Sequence, residues 1–302
     1  MTTASNHAPM SAAVPQPVLI VCGGLQSSGS TLVSYCFLQR GDMNGVLDAD
    51  NDLLPAIDAS LAGPIAWYKT TISCFRLSEI AQHYSDAGWQ VRTLLVLRDL
   101  RAVWASLRSK SYGRNGITAE DPPLRVRLRR FIDDWRVLRV TGGAILRYED
   151  FVAEPRDTLE DVCAALGLPF DSAMLTWPKA PERIADHRNG NESFWVTRGA
   201  NLASSLERFR SKRGTPQLPA ADLRWLETEF RDFNEANGYS LELDATLACD
   251  DTSCIAPTPP PSFEVTRRYK WETAQKPLRW LLAQLGRPNT TLIERRSRKR
   301  AA

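Results

Sequence analysis

Val18-Leu19-Ile20-Val21-Cys22 is an unbroken apolar run that stops at Gly23-Gly24, the pattern of a strand buried on both faces in a parallel sheet. A helix is expected behind the glycines, from Ser30 to about Gln39. The same grammar returns at Thr93–Leu97, which meets Arg98-Asp99-Leu100-Arg101 and then a helical pattern in which Val103, Trp104 and Leu107 share a face. Ile65–Thr70 reads as a further strand, Ala144–Leu146 as another, and Gly45–Asp50 as the end of a strand behind the first helix. Leu124, Leu128, Ile132, Trp135 and Leu138 recur at steps of three and four, which makes an amphipathic helix of an Arg-rich stretch. Pro155 opens a helix that carries Leu159, Val162, Cys163 and Leu166 inward and stops at Gly167. A last helix is expected over Ala221–Ala236 on Leu223, Leu226, Phe230 and Phe233, closing at Gly238-Tyr239. Strands alternating with helices imply an α/β three-layer sandwich around a central parallel sheet.

Composition sets the limits of that sandwich. With 302 residues, 43% of them hydrophobic, and nine Trp, the chain can bury a large core. The expected organisation is an N-terminal tail over 1–16, one domain over 17–245, and a C-terminal segment over 246–302. That segment begins with the stiff spacer Pro257-Thr258-Pro259-Pro260-Pro261. Ser262–Ala302 holds eleven Lys and Arg against three Glu, a net of +8, so the +3 of the whole chain becomes −5 without it. A balance this small gives no reason to expect nucleic acid as a partner.

Within the tail, Pro277 can start a helix with Leu278, Leu281, Leu282 and Leu285 on one face, ending at Gly286. Two readings of it stay open: docking on its own domain, or peripheral contact with an anionic membrane supported by Arg295, Arg296, Arg298, Lys299 and Arg300. Met1–Gln16 has no apolar core of a secretory signal, and nothing approaches the length of a membrane span. Cys22, Cys36, Cys74, Cys163, Cys249 and Cys254 form no CxxC pair and have no His at zinc spacing. A cytoplasmic protein with reduced thiols and no metal is the expectation.

The chemistry concentrates in Gly23-Gly24-Leu25-Gln26-Ser27-Ser28-Gly29-Ser30-Thr31, between the first strand and its helix. Glycines let backbone amides turn toward a ligand, hydroxyls add donors, and the helix N-terminus adds partial positive charge, so the loop can cradle a phosphate. It lacks the GK[ST] ending and the lysine of a Walker loop. A turn without a ligand is its alternative reading. A second anion site is suggested by Arg98 at a strand end and Ser106 two turns into the next helix, the alternative being a plain Arg98–Asp99 pair. Two such sites on strand ends suit a ligand with phosphates at both its 5′ and 3′ positions, placed where open parallel sheets bind ligands.

The order of these motifs resembles the sulfotransferase family that uses 3′-phosphoadenosine 5′-phosphosulfate, PAPS, as donor. Its 5′-phosphosulfate loop is similar to Gln26-Ser27-Ser28-Gly29-Ser30-Thr31, and its 3′-phosphate motif to Arg98-Asp99-Leu100-Arg101 with Ser106. The likeness continues through Arg147-Tyr148-Glu149-Asp150-Phe151, Pro155–Phe170, His187–Asn191 and Ser204–Arg210. It implies a P-loop-like fold that grips PAPS through the first loop, Arg98 and Ser106, with Asn191, Ser205 and Arg208 closing over the nucleotide and His187 lining it. The reaction implied is sulfuryl transfer to a hydroxyl of a small-molecule or glycan acceptor, without a metal.

One departure bears on catalysis. The family commonly has Lys or Arg where this chain has Ser27, a cation that stabilises the leaving bridging oxygen. Lys69, in Ile65-Ala66-Trp67-Tyr68-Lys69-Thr70, is the expected substitute, or else a strand-end surface lysine. The acceptor hydroxyl needs a general base; Asp48 is favoured, with Asp50, Asp52 and His83 open, and acids that merely solvate a loop are the alternative. Two rival functions remain at this level, a nucleotide or small-molecule kinase and a non-catalytic nucleotide-binding adaptor.

Overall fold

Five strands make one parallel sheet in the computed structural model, which describes residues 16–49, 57, 63–72, 75–109, 122–180, 183–185, 201–210 and 218–242. They are β1 (Val18–Gly24), β2 (Met43–Ala49), β3 (Ile65–Thr71), β4 (Gln90–Leu97) and β5 (Ala144–Arg147). Their order is β2-β3-β1-β4-β5. The apolar run at β1 sits in the middle because it can bury both faces. Leu19 and Val21 join one core, and Ile20 and Cys22 the other.

The first core lies under α2 (Leu77–Asp86), α3 (Leu100–Ser109), α4 (Pro122–Thr141), α9 (Ala220–Glu229) and α10 (Arg231–Ala236). The second lies under α1 (Ser30–Phe37), α5 (Tyr148–Ala153), α6 (Pro155–Ala165), α7 (Ala173–Thr176) and α8 (Leu202–Arg210). This is the expected three-layer α/β sandwich. Among the described residues no helix is long and apolar enough to cross a membrane.

Three elements differ from the sequence reading. The stretch over Ala221–Ala236 is two helices, broken at Phe230, whose φ of −117° and ψ of 29° leave the helical region. Phe230 is buried there, 5.4 Å from Trp225 in an edge-on ring contact. Helix α2 was not expected from the pattern, because only Leu77, Ile80 and Tyr84 of its ten residues are buried. Helix α5 starts directly at the end of β5, where the sequence showed only a family-like stretch.

The sheet order fixes where a ligand can enter. After β1 the chain moves toward β2 and β3, and after β4 it moves the other way to β5. The carboxyl ends of β1 and β4 therefore flank the crevice where strand order reverses. Gly24–Ser30 and Arg98 are the loops at those two ends.

Candidate functional site

The β1–α1 loop is built around two positive-φ residues, Ser27 at 69° and Gly29 at 91°. Gly29 has no substitute: a Cβ there would collide with the ring edge of Tyr148. At Gly24 a Cβ would sit 2.5 Å from Ser28 Oγ and 3.3 Å from the Val96 carbonyl oxygen, so the loop folds back tightly on the end of β4. The Ser28 amide closes the turn onto the Leu25 carbonyl at 3.1 Å.

The loop then opens α1 with no side chain capping its N-terminus, which leaves first-turn amides for a ligand. Ser28 Oγ and Gln26 Oε1 are buried without a hydrogen-bond partner. A buried hydroxyl left in this state is costly unless something completes it. An anion seated in the loop would accept from Ser28, so the residues present fit a phosphate or sulfate group. Ser30 is buried beside them, and Thr31 is half-buried.

Arg98 meets this loop directly. Its Nη1 donates to the Ser27 carbonyl at 2.7 Å, and its guanidinium carbon lies 4.7 Å from the centre of the Tyr148 ring. The alternative Arg98–Asp99 pair does not form; Asp99 is held by Arg101, with Nη2 to Oδ2 at 2.8 Å. The loops that carry the two motifs are thus in contact, with Tyr148 packed between Gly29 and Arg98. Tyr148 stood in the sequence only as one member of the family-like stretch Arg147–Phe151, with no role attached to it. Ser106 is half-buried two turns into α3.

Lys69 and Asp48 come together. Lys69 Nζ donates to Asp48 Oδ1 at 2.8 Å, with side-chain exposures of 3% and 13%, so the surface-lysine reading of Lys69 is excluded. Lys69 pairs in register with Cys22, two residues before Gly24, and its side chain shares the α1 side of the sheet with Trp67. Burial pushes the Cys22 thiol up to about 12, against the pull of the Lys69 charge and the Ser34 hydroxyl. Thr70 Oγ1, one residue on, is a further buried hydroxyl without a partner.

His83 is not brought here. It is exposed in the last turn of α2, which leads into the start of β4, and so lies toward the amino ends of the strands, the opposite end of the sheet from the loop. Ser205 is buried in α8, and Arg208 falls on the same helix. Asp50, Asp52, His187, Asn191 and the tail from 243 onward lie outside the described residues.

The fold has solved relatives. The sulfotransferase domain from the curacin biosynthetic pathway superposes with a TM-score of 0.51 at 16% identity, covering 74% of this chain and 99% of that one. The fold is that of a sulfotransferase domain. Two other sulfotransferases align more loosely. The domain from the Synechococcus PCC 7002 olefin synthase has a TM-score of 0.47 at 17% identity, covering 78% of this chain and all (100%) of that one. Mouse sulfotransferase SULT7A1, complexed with PAP, has a TM-score of 0.42 at 10% identity, covering 74% and 89%. Among curated proteins, none matches the chain in sequence at a significant level. The family model described as sulfotransferase domain matches residues 128–214, which run from α4 past α8 and include Tyr148 and Glu149. In this sulfotransferase fold the Gly24–Thr31 loop and Arg98 precede the matched stretch and stand on their geometry.

Proposed function

We propose that the protein transfers a sulfuryl group from PAPS to a hydroxyl of a carbohydrate or small metabolite. The observation that supports this reading is the 2.7 Å bond from Arg98 to the Ser27 carbonyl, which brings the two strand-end loops together. A nucleotide bearing a 5′-phosphosulfate and a 3′-phosphate needs two anion sites one nucleoside apart. Gln26, Ser27, Ser28, Gly29, Ser30 and Thr31 take the 5′ end through backbone amides and hydroxyls. Arg98 and Ser106 take the 3′-phosphate, and Asn191, Ser205 and Arg208 close over the nucleoside.

Sulfuryl transfer is loose and in-line, so positioning and charge stabilisation dominate. The acceptor oxygen forms a bond to sulfur as the bond from sulfur to the bridging oxygen breaks, and 3′,5′-diphosphoadenosine leaves with the electron pair. Lys69 supplies the cation for that leaving phosphate which Ser27 lacks. Asp48 steadies Lys69 through Oδ1 and takes the acceptor proton on its other oxygen. The loops expected to shape an acceptor pocket, Asp42–Gly63 and Ser111–Pro123, fall in large part outside the described residues.

Calorimetry with 3′,5′-diphosphoadenosine in the absence of magnesium tests the donor. Binding supports the transferase, whereas binding of ATP alone, and only with magnesium, supports a kinase. Incubating small-molecule extracts with PAPS and protein, then searching for a gain of about 80 mass units, the mass of SO₃, tests transfer and names the acceptor. Nucleotide binding with no such gain in any extract supports an adaptor.

A further inference from the structure

The backbone behind Arg98 is gripped by a chain of side chains that ends at the last described turn of the fold. Glu149 Oε1 accepts the Asp99 N–H at 3.1 Å, and Glu149 Oε2 accepts the Tyr239 hydroxyl at 3.0 Å. Asp99 is held on its other side by Arg101, whose Nη1 also lies 3.5 Å from Glu227 and 3.3 Å from Glu242. The Glu242 amide donates to both Glu227 oxygens, at 2.9 and 3.1 Å. The Arg147 guanidinium sits 5.1 Å from the centre of the Tyr239 ring. Burial, then the neighbouring Glu149 carboxylate, push the Tyr239 phenol far up, which keeps it a donor at working pH.

The Asp99 N–H and the Arg98 carbonyl belong to one rigid peptide plane. Fixing that N–H holds the plane after Arg98, while β4 holds the chain before it up to Leu97, and the two together set the direction in which the Arg98 side chain leaves the strand. Glu149 is well suited to this, because it sits in the first turn of α5 directly after Tyr148, the ring on which Arg98 lies.

We infer that Glu149 is a positioning residue for the 3′-phosphate subsite: it holds the Arg98–Asp99 peptide plane so that the guanidinium is aimed, and Tyr239 holds Glu149 in turn. The inference rests on the proposed donor and deepens it. It makes Tyr239, remote from the loop in sequence, a determinant of nucleotide choice. Loss of aim at Arg98 weakens only ligands that carry a 3′-phosphate, which separates a positioning role from a structural one.

The test compares the affinities of 3′,5′-diphosphoadenosine and adenosine 5′-monophosphate for the full chain. The native protein prefers the diphosphate. Glu149→Ala lowers that preference by about tenfold or more while the monophosphate affinity holds within about twofold, and Glu149→Gln, which keeps an oxygen for the Asp99 N–H, restores it. Tyr239→Phe lowers the preference by a smaller factor and serves alone if Glu149→Ala does not fold. A native preference that survives both Glu149→Ala and Tyr239→Phe, or a parallel loss for both nucleotides, overturns the inference. A native protein without the preference overturns the donor reading and the inference with it.

Discussion

Lys69 and Asp48 lie 21 positions apart in the chain, yet their side chains meet with Nζ 2.8 Å from Oδ1. The meeting follows from β2 lying beside β3, with a register shift between Val46 and Ala49 that carries Asp48 opposite the end of β3. Removing one partner of a buried pair leaves an uncompensated charge, and costs more than removing both. Lys69→Met is expected to lower stability by about 3 kcal/mol, and the double variant Lys69→Met with Asp48→Leu to lose less than that. Denaturant unfolding of the singles and the double checks this; additive losses contradict a coupled pair.

The same lysine carries the catalytic assignment. Loss of a preorganised charge at a developing anion costs about 100-fold in kcat or more. Lys69→Met should show that drop at saturating PAPS, with a much smaller change in the affinity of 3′,5′-diphosphoadenosine. Unchanged turnover in a folded variant removes Lys69 from the mechanism.

The loop leaves no room for a side chain at Gly29. Gly29→Ala places a Cβ on the Tyr148 ring edge at a φ of 91°, a conformation that costs about 1 to 3 kcal/mol for a non-glycine residue. Weakened nucleotide binding and a lower melting temperature are expected together. Adding Tyr148→Ala should relieve the clash, and recover part of the stability, but not the binding.

Asp134 makes stability depend on pH. It is 2% exposed, and burial raises its carboxyl from 3.8 to about 6, against the pull of hydrogen bonds from the Leu77 and Ser78 amides and the Ser78 hydroxyl. The native state therefore binds this proton more tightly than the unfolded chain. Its contribution is full below about pH 4 and is lost as pH rises to about 6, by at most about 1.4 kcal/mol per unit. Asp134→Asn has no such proton. The stability of native protein minus that of the variant should fall between pH 4 and 6 and stay level above; a difference that rises across that window contradicts the raised value.

Much of this architecture was legible because its signals are local. The run from Val18 to Cys22, the glycines behind it, and Arg98 at the end of an apolar stretch each announce a strand meeting a ligand loop. What escaped depends on distant partners. Helix α2 has Arg76, a residue poorly suited to capping, at its N-cap; its first amide is held by Asp134 Oδ2 at 2.6 Å, from a helix far along the chain. The Lys69–Asp48 pair needs the order of the sheet, which spacing alone does not contain. Tyr239 reaches Glu149 only after α9 and α10 have broken at Phe230 to pack their aromatic rings. The reading of Arg98 as a second anion site was open in the sequence, and the structure adds that the Arg98 side chain reaches the Ser27 carbonyl of the first loop.

The most direct test is calorimetric titration of 3′,5′-diphosphoadenosine, without magnesium, into the native chain and Arg98→Glu. A 3′-phosphate held by Arg98 beside the 5′ loop predicts saturable binding to the native protein and a loss of about 100-fold or more on charge reversal. Equal affinity for the two proteins, or no binding to the native one, would contradict the account.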